Sequence, residues 1–142
     1  MSFTVYLTFD GDCEEAFDFY RSVFGGEFVV KQRFSDGPPE MAAVAKGEEN
    51  RIMHVTLRVG DALLQGSDTA QGHASSYVRG NNFLISFTPA SRTEADDAFQ
   101  KLSVDGSVAM QMQETFWGSY FGMVTDKYGV QWMINCGQPQ SA

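Results

Sequence analysis

The residues with most chemical potential lie near the carboxyl end, where Glu114 is followed by Phe116 and Trp117. A carboxylate that aromatic rings cover loses hydration, and such desolvation suits a general acid or base. The same pattern is typical of a solvated glutamate at the end of a strand. The sequence therefore leaves two interpretations of Glu114 open, an acid–base group and a surface carboxylate.

The segment that follows, residues 130–136, alternates in polarity. Its even positions are apolar, whereas its odd positions hold Gln131, Met133 and Asn135. Because successive side chains of a strand point to opposite faces, this pattern predicts one buried face and one that carries these three residues. The second face is either an ordinary side of a hairpin or a surface that contacts a ligand.

Outside this region, His54 lies in an alternating segment and is either a binding or acid–base group or a histidine satisfied within the core. His73 lies in a polar connector, where we expect it to be solvated. Cys13 and Cys136 lack metal-ligand spacing. The sequence also contains no nucleophile elbow, dinucleotide-binding glycine loop or P-loop.

Composition narrows the class of protein. The chain has 142 residues and a net charge of −8, which disfavours nucleic acid and anionic membrane surfaces as partners. It contains no apolar run long enough to span a membrane, and its first residues do not resemble a signal peptide. We therefore expect a single cytoplasmic domain over residues 1–142.

The elements that must position these residues follow one order twice, strand, helix, strand and hairpin, which predicts an α+β fold of two tandem βαβββ modules at 1–68 and 80–137. The first module should contain a strand Val5–Phe9, a helix Cys13–Phe24, strands Glu27–Phe34, Ile52–Val59 and Ala62–Gly66, and a polar loop Ser35–Asn50. The second should contain strands Asn82–Thr88, Val108–Met112, Phe121–Thr125 and Val130–Cys136, and a helix Thr93–Leu102 capped by Ser91 or Thr93. One helix cannot cover both faces of a sheet, so each module should leave one face open.

Three stretches together resemble a known family. They are Glu-Thr-Phe-Trp-Gly at 114–118 with the following segment 121–135, Tyr6 to Tyr20 with Val-Phe-Gly-Gly at 23–26, and Ile-Met-His at 52–54 with Gln-Gly-Ser-Asp at 65–68. They resemble PhnB-like proteins of the vicinal oxygen chelate superfamily, which includes glyoxalase I, bleomycin-resistance proteins and extradiol dioxygenases. The resemblance implies an open, curved mixed sheet around a cavity and a homodimer.

The resemblance also implies where metal ligands would stand in metal-dependent relatives. Those positions fall near Val5, Gln65, Asn82 and Met133. A valine cannot ligate, a thioether suits only soft metals, and the two amides offer neutral oxygens. We therefore expect no metal and no cofactor.

Two functions remain open. The first is a binding protein for an unidentified small molecule, and the second is a metal-independent lyase, isomerase or transferase that acts on a small polar metabolite, with Glu114 or His54 as its acid–base group. The long loop 35–50 is expected to be mobile or to reach the other subunit of a homodimer. The predicted ligand-binding residues are His54, Gln65, Asn82, Glu114, Phe116, Trp117, Met133 and Asn135.

Overall fold

The computed structural model describes residues 1–70 and 76–137. The chain divides into two compact units, Met1–Val78 and Arg79–Ala142. Each unit contains a four-stranded mixed sheet and follows the order strand, helix and three strands. This order confirms the predicted α+β fold of two βαβββ modules.

The strands of the first unit lie in the order β1-β4-β3-β2 across the sheet. Strand β1 runs parallel to β4, and the remaining pairs are antiparallel. Its elements are β1 Val5–Phe9, α1 Cys13–Phe24, β2 Glu27–Arg33, α2 Pro39–Val44, β3 Ile52–Val59 and β4 Ala62–Asp68.

The segment between β2 and β3 is more regular than the sequence suggests. A 3₁₀ turn at Phe34–Asp36 precedes α2, which begins at Pro39 in the first helical position, where proline's fixed φ favours a helix. Phe34 and Ala45 are buried. The expected loop therefore contains a short helix and packs partly on its own unit, while its predicted contact with a second subunit stays a prediction.

Helix α1 covers one face of the first sheet. Its buried residues are Cys13, Ala16, Phe17 and Tyr20, which share one side at helical spacing. A Cβ added to Gly66 would lie 2.7 Å from the Leu7 carbonyl oxygen and 2.8 Å from the Phe17 ring. Gly66 therefore lets α1 approach the sheet.

The second unit repeats this arrangement. The order is β5-β8-β7-β6, with β5 parallel to β8 and the other pairs antiparallel. Its elements are β5 Ile85–Phe87, α3 Arg92–Ser103, β6 Ser107–Glu114, β7 Tyr120–Thr125 and β8 Gln131–Cys136.

Helix α3 begins and packs as its sequence predicts. The Ser91 side chain accepts a hydrogen bond from the Glu94 backbone N–H at 3.1 Å, which identifies Ser91 as the N-cap. A Cβ added to Gly122 would lie 2.6 Å from the Met112 sulfur and 3.0 Å from the Phe99 ring. Gly122 thus has the same position beneath α3 that Gly66 has beneath α1.

A buried aspartate holds the chain together in each unit. Asp68 accepts backbone N–H groups of Gly11 at 2.8 Å, Cys13 at 3.0 Å and Ile52 at 2.9 Å. The sequence predicted that β4 ends at Gly66, but the strand continues to Asp68, which is 4% exposed. Asp68 also binds the first turn of α1, where Asp12 makes no side-chain capping hydrogen bond.

Asp126 is the counterpart in the second unit. It accepts the N–H groups of Tyr128 at 2.8 Å and Val130 at 3.1 Å, and the Trp132 indole N–H at 2.9 Å. These bonds fix the turn between β7 and β8 and thereby the register of β8.

Within residues 1–70 and 76–137, no helix has the length and apolar character that crossing a membrane requires.

Candidate functional site

The first unit presents a polar set on the sheet face opposite α1. Strand register places Tyr6 beside Gln65, and Gln65 beside Thr56. The alternate positions, such as Leu7 and Gly66, face α1. Two predicted site residues, His54 and Gln65, therefore share the open face with Tyr6 and Thr56.

His54 lies between two hydroxyl groups. Its Nδ1 is 3.4 Å from the Tyr6 hydroxyl oxygen, and its Nε2 is 3.0 Å from Thr56 Oγ1. The Tyr6 and His54 rings are stacked with centroids 5.8 Å apart. Both ring nitrogens are thus engaged, and the three side chains can pass or hold a proton at the open face.

The second unit presents thioethers and an aromatic ring on the face opposite α3. Met133 pairs with Met123, and Met123 pairs with Met110, so one methionine from each of β6, β7 and β8 lies side by side. Asn135 pairs with Phe121 on the same face. Met133 and Asn135 were predicted for this face, but Met110 and Met123 were not, because only strand pairing brings them together.

The side-chain oxygen of Asn135 differs from the other polar atoms of this face in its burial and hydrogen bonding. This oxygen, Oδ1, is closed to solvent and has no hydrogen-bond partner among the residues that the structure describes. Buried polar atoms are rarely left in this condition. The face therefore contains an acceptor that the second unit does not satisfy.

Glu114 lies on the other side of the second sheet. It pairs with Tyr120, which pairs with Cys136, and this row faces α3. Its carboxylate is 2.7 Å from the Arg92 guanidinium, and its side chain is 67% exposed. The expected cover by aromatic rings is not found within the second unit, and the strand pairing separates Glu114 from Met133 and Asn135.

The two aromatics after Glu114 are themselves exposed, Phe116 at 98% and Trp117 at 54%. The turn that carries them is closed by hydrogen bonds from the Thr115 N–H to the Ser119 carbonyl at 2.8 Å and from the Gly118 N–H to the Thr115 carbonyl at 2.9 Å. The Trp117 and Phe121 rings pack edge to face, with their centroids 6.2 Å apart. Trp117 therefore borders the open face, whereas Phe116 points to solvent.

The positions expected for metal ligands hold no anionic or imidazole side chain. Val5 pairs with Leu64 on the α1 side, and Asn82 is exposed and precedes β5. Gln65 and Met133 offer a neutral amide and a thioether, a donor set that does not fit a divalent cation. Among the described residues, no group of three or more His, Cys, Asp or Glu could hold a metal.

Of the remaining candidates, Cys13 is a free and buried cysteine. Burial raises the pKa of the Cys13 thiol far above its ordinary range, and the charge of nearby Asp68 adds to this effect. Cys13 is therefore a packed, unreactive thiol. His73 falls outside the described residues.

Comparison with known proteins shows which family has this architecture. The Glyoxalase/Bleomycin resistance protein/Dioxygenase superfamily matches residues 3–134. Protein YjdN of Escherichia coli K12 is 31% identical over 99% of this chain and 98% of its own length.

Solved structures show the same relationship. Protein PA1353 of Pseudomonas aeruginosa has a TM-score of 0.83 and 36% identity over 97% of this chain and 98% of that one. A PhnB protein of Bacillus cereus, described as a putative 3-demethylubiquinone-9 3-methyltransferase, has a TM-score of 0.79 and 28% identity over 96% and 100% of the two chains. The chain, with its paired βαβββ modules, belongs to the Glyoxalase/Bleomycin resistance protein/Dioxygenase superfamily.

Proposed function

We propose that this chain forms a metal-free homodimer that binds a small molecule against the sheet faces opposite its helices. One observation supports the proposal most directly. In each unit, predicted site residues lie on the helix-free face: His54 and Gln65 in the first unit, and Met133 and Asn135 in the second. Ligand sites typically combine apolar lining with a few placed polar groups, and these two faces offer both.

A ligand screen tests this proposal. Melting temperature and native mass spectrometry would be recorded with a library of small metabolites. We expect at least one compound to bind, and His54→Ala or Met133→Ala to weaken its binding about fivefold, since each removes a contact worth roughly 1 kcal/mol. The matched control is Gln100→Ala, an exposed position on α3. Equal affinity in all variants, or no bound compound, would contradict the proposal.

The second candidate is a metal-independent enzyme, and the geometry favours His54 over Glu114 as its acid–base group. His54 is held between the Tyr6 and Thr56 hydroxyls, whereas Glu114 is exposed and paired with Arg92. Any ligand from the screen would be incubated with the protein and followed by mass spectrometry. Turnover that His54→Gln reduces about 100-fold, with binding retained, would support this candidate, and an unchanged ligand would contradict it.

The metal-free state rests on donor chemistry. Val5, Gln65, Asn82 and Met133 supply no anionic or imidazole donor. We expect the purified protein to hold less than stoichiometric transition metal and to keep its melting temperature in chelator. Near-stoichiometric zinc, nickel or manganese, lost together with stability on chelation, would overturn this part of the proposal.

The homodimer is supported by exposed apolar side chains. Phe116 and Trp117 stand on an ordered turn and would be covered by a second subunit. Light scattering should give twice the mass of 15.7 kDa at micromolar concentration. A monomeric mass would contradict the proposed assembly and leave the ligand proposal standing.

A further inference from the structure

We infer that the open face of the second unit binds a planar, uncharged apolar group that carries an N–H or O–H donor, and that Asn135 Oδ1 accepts this donor. The inference rests on the proposed binding function and names the class of ligand. Three features of the face support it: an acceptor, an apolar surface and the lack of formal charge.

The acceptor is Asn135 Oδ1. It is buried and has no partner among the described residues. A buried carbonyl oxygen without a hydrogen bond has lost its hydration without compensation, so a donor that reaches it as the neighbouring side chains move aside stabilises the protein. An asparagine whose only role was to fill space could be replaced by leucine without this penalty.

The surface beside this acceptor is apolar and deformable. Phe121 is directly opposite Asn135, and Met123 and Met133 form the next residue pair on this face. Trp117 contacts the Phe121 ring. Thioethers adapt their shape and pack favourably on aromatic rings. This surface suits a flat ring system that lies across β7 and β8.

The same face carries no formal charge at the positions that strand pairing assigns to it. A charged ligand group would therefore lose its hydration without a counter-charge. This favours a neutral donor such as an indole, amide or phenol over an ammonium or carboxylate group. The positions on this face include Ser86, Met110, Gln113, Phe121, Met123 and Met133, together with the uncharged Thr125 and Gln131.

Two fragments that differ by one hydrogen-bond donor test the inference. Indole and 1-methylindole would be titrated into protein labelled with ¹³C at its methionine methyl groups. Both should shift the Met123 and Met133 signals and leave unchanged the signal of Met112, whose sulfur lies beside Gly122 on the α3 side of the same sheet. Indole should bind about tenfold more tightly than 1-methylindole, since the latter leaves the amide oxygen unpaired.

The variant Asn135→Leu removes the acceptor and keeps the volume. We expect it to abolish the preference, so that indole and 1-methylindole bind with about equal affinity. The affinity for 1-methylindole should be retained. The matched control is Gln100→Leu, an exposed amide on α3, which should keep the tenfold preference. A preference that persists in Asn135→Leu would overturn the inference.

Melting temperature without fragment separates a ligand role from a structural one. Asn135→Leu should melt at the same temperature as the parent or higher, because it removes an unpaired buried acceptor. A large fall in melting temperature would show that Asn135 is bonded within the folded assembly and would overturn the inference. Equal binding of both fragments overturns the inference alone, whereas no shift and no ligand in the metabolite screen would overturn the proposed function too.

Discussion

The two units use the same supports and differ in the faces that they leave open. In each, a buried aspartate accepts three N–H groups and a glycine lies beneath a helix phenylalanine: Asp68 with Gly66, and Asp126 with Gly122. The open face of the first unit holds a histidine between hydroxyls, and that of the second holds methionines and a phenylalanine.

This difference separates two kinds of constraint. A residue beneath a helix must fit a close-packed interior, where a single methylene has an energetic effect. A residue on the open face is not packed beneath the helix of its unit, so its chemistry can differ with less effect on the fold. Function therefore has most freedom on the open faces.

The largest expected effect concerns the aspartates. Asp68→Ala and Asp126→Ala should each lower the free energy of unfolding by about 3 kcal/mol or more, because each leaves buried N–H groups without a partner. Urea denaturation measures this loss. The control is Asp97→Ala, an exposed residue paired with Lys101 at 3.0 Å, which should cost less than about 0.5 kcal/mol.

The two aspartate losses should agree to within about 1 kcal/mol, because each site has two buried N–H donors and one partly buried donor. A much larger loss of unfolding free energy at one aspartate would show that the two aspartates are not equivalent.

The next effect concerns the glycines. Gly66→Ala should cost about 2–3 kcal/mol, because the nearest atoms to the new Cβ are a backbone oxygen and the Phe17 ring. Gly122→Ala should cost about 1–2 kcal/mol, since the nearest atom is the Met112 sulfur, which can move. Thermal and urea denaturation check both values.

Gly137→Ala is the control, since a Cβ there lies within 4 Å of no atom in residues 1–70 or 76–137 beyond its chain neighbours. It should change stability by less than about 0.5 kcal/mol. A larger loss at Gly122 than at Gly66 would contradict the proposed difference between a rigid and a flexible neighbour.

The smallest effect concerns surface ion pairs. The Arg33 guanidinium at 2.6 Å and then the Lys31 ammonium at 2.9 Å hold the pKa of Glu14 at about 2, below its ordinary value of 4.5. Because the folded pKa is lowered, the stabilisation is present above pH 4.5 and is lost as pH falls toward 2. The side chain is 36% exposed, so solvent screening limits Glu14→Gln to about 0.5–1 kcal/mol at pH 7.

Urea denaturation of Glu14→Gln and its parent should therefore differ at pH 7 and converge as the pH falls toward 2, where about half of the folded Glu14 population is protonated. Glu114→Gln in the second unit should cost less than about 0.5 kcal/mol, because its pair with Arg92 is more exposed. A Glu14 difference that stays constant with pH would contradict the assignment to ionised Glu14.

Much of the fold could be predicted because its signals are local. Helix α3 is specified by Ser91 and by the spacing of Ala95, Ala98, Phe99 and Leu102, which are all buried. The alternation in β8 predicted the burial of Trp132 and Ile134 and the shared face of Met133 and Asn135. The predicted β5 was too long, since strand pairing there covers only Ile85–Phe87.

The site residues that the sequence misplaced depend on strand register. Register shifts interrupt the pairing of β6 with β7 on both sides of Met110, so counting alternate residues along β6 does not give their faces. This is why Glu114 could not be assigned to the α3 side from its sequence. Thr56 meets His54 because both lie on one face of β3, whereas Tyr6 meets it only because β1, β4 and β3 lie side by side.

The sequence by itself determined the repeated βαβββ order, the N-cap of α3, the alternation of β8 and a donor set unsuited to divalent metals. Each of these depends on residues close together in the chain or on side-chain chemistry alone. The tertiary structure decided which face each candidate shares, how Asp68 is buried and where Asn135 presents an unpaired oxygen. Those features depend on pairing between strands distant in sequence, where a shift of one residue moves a side chain to the opposite face of the sheet.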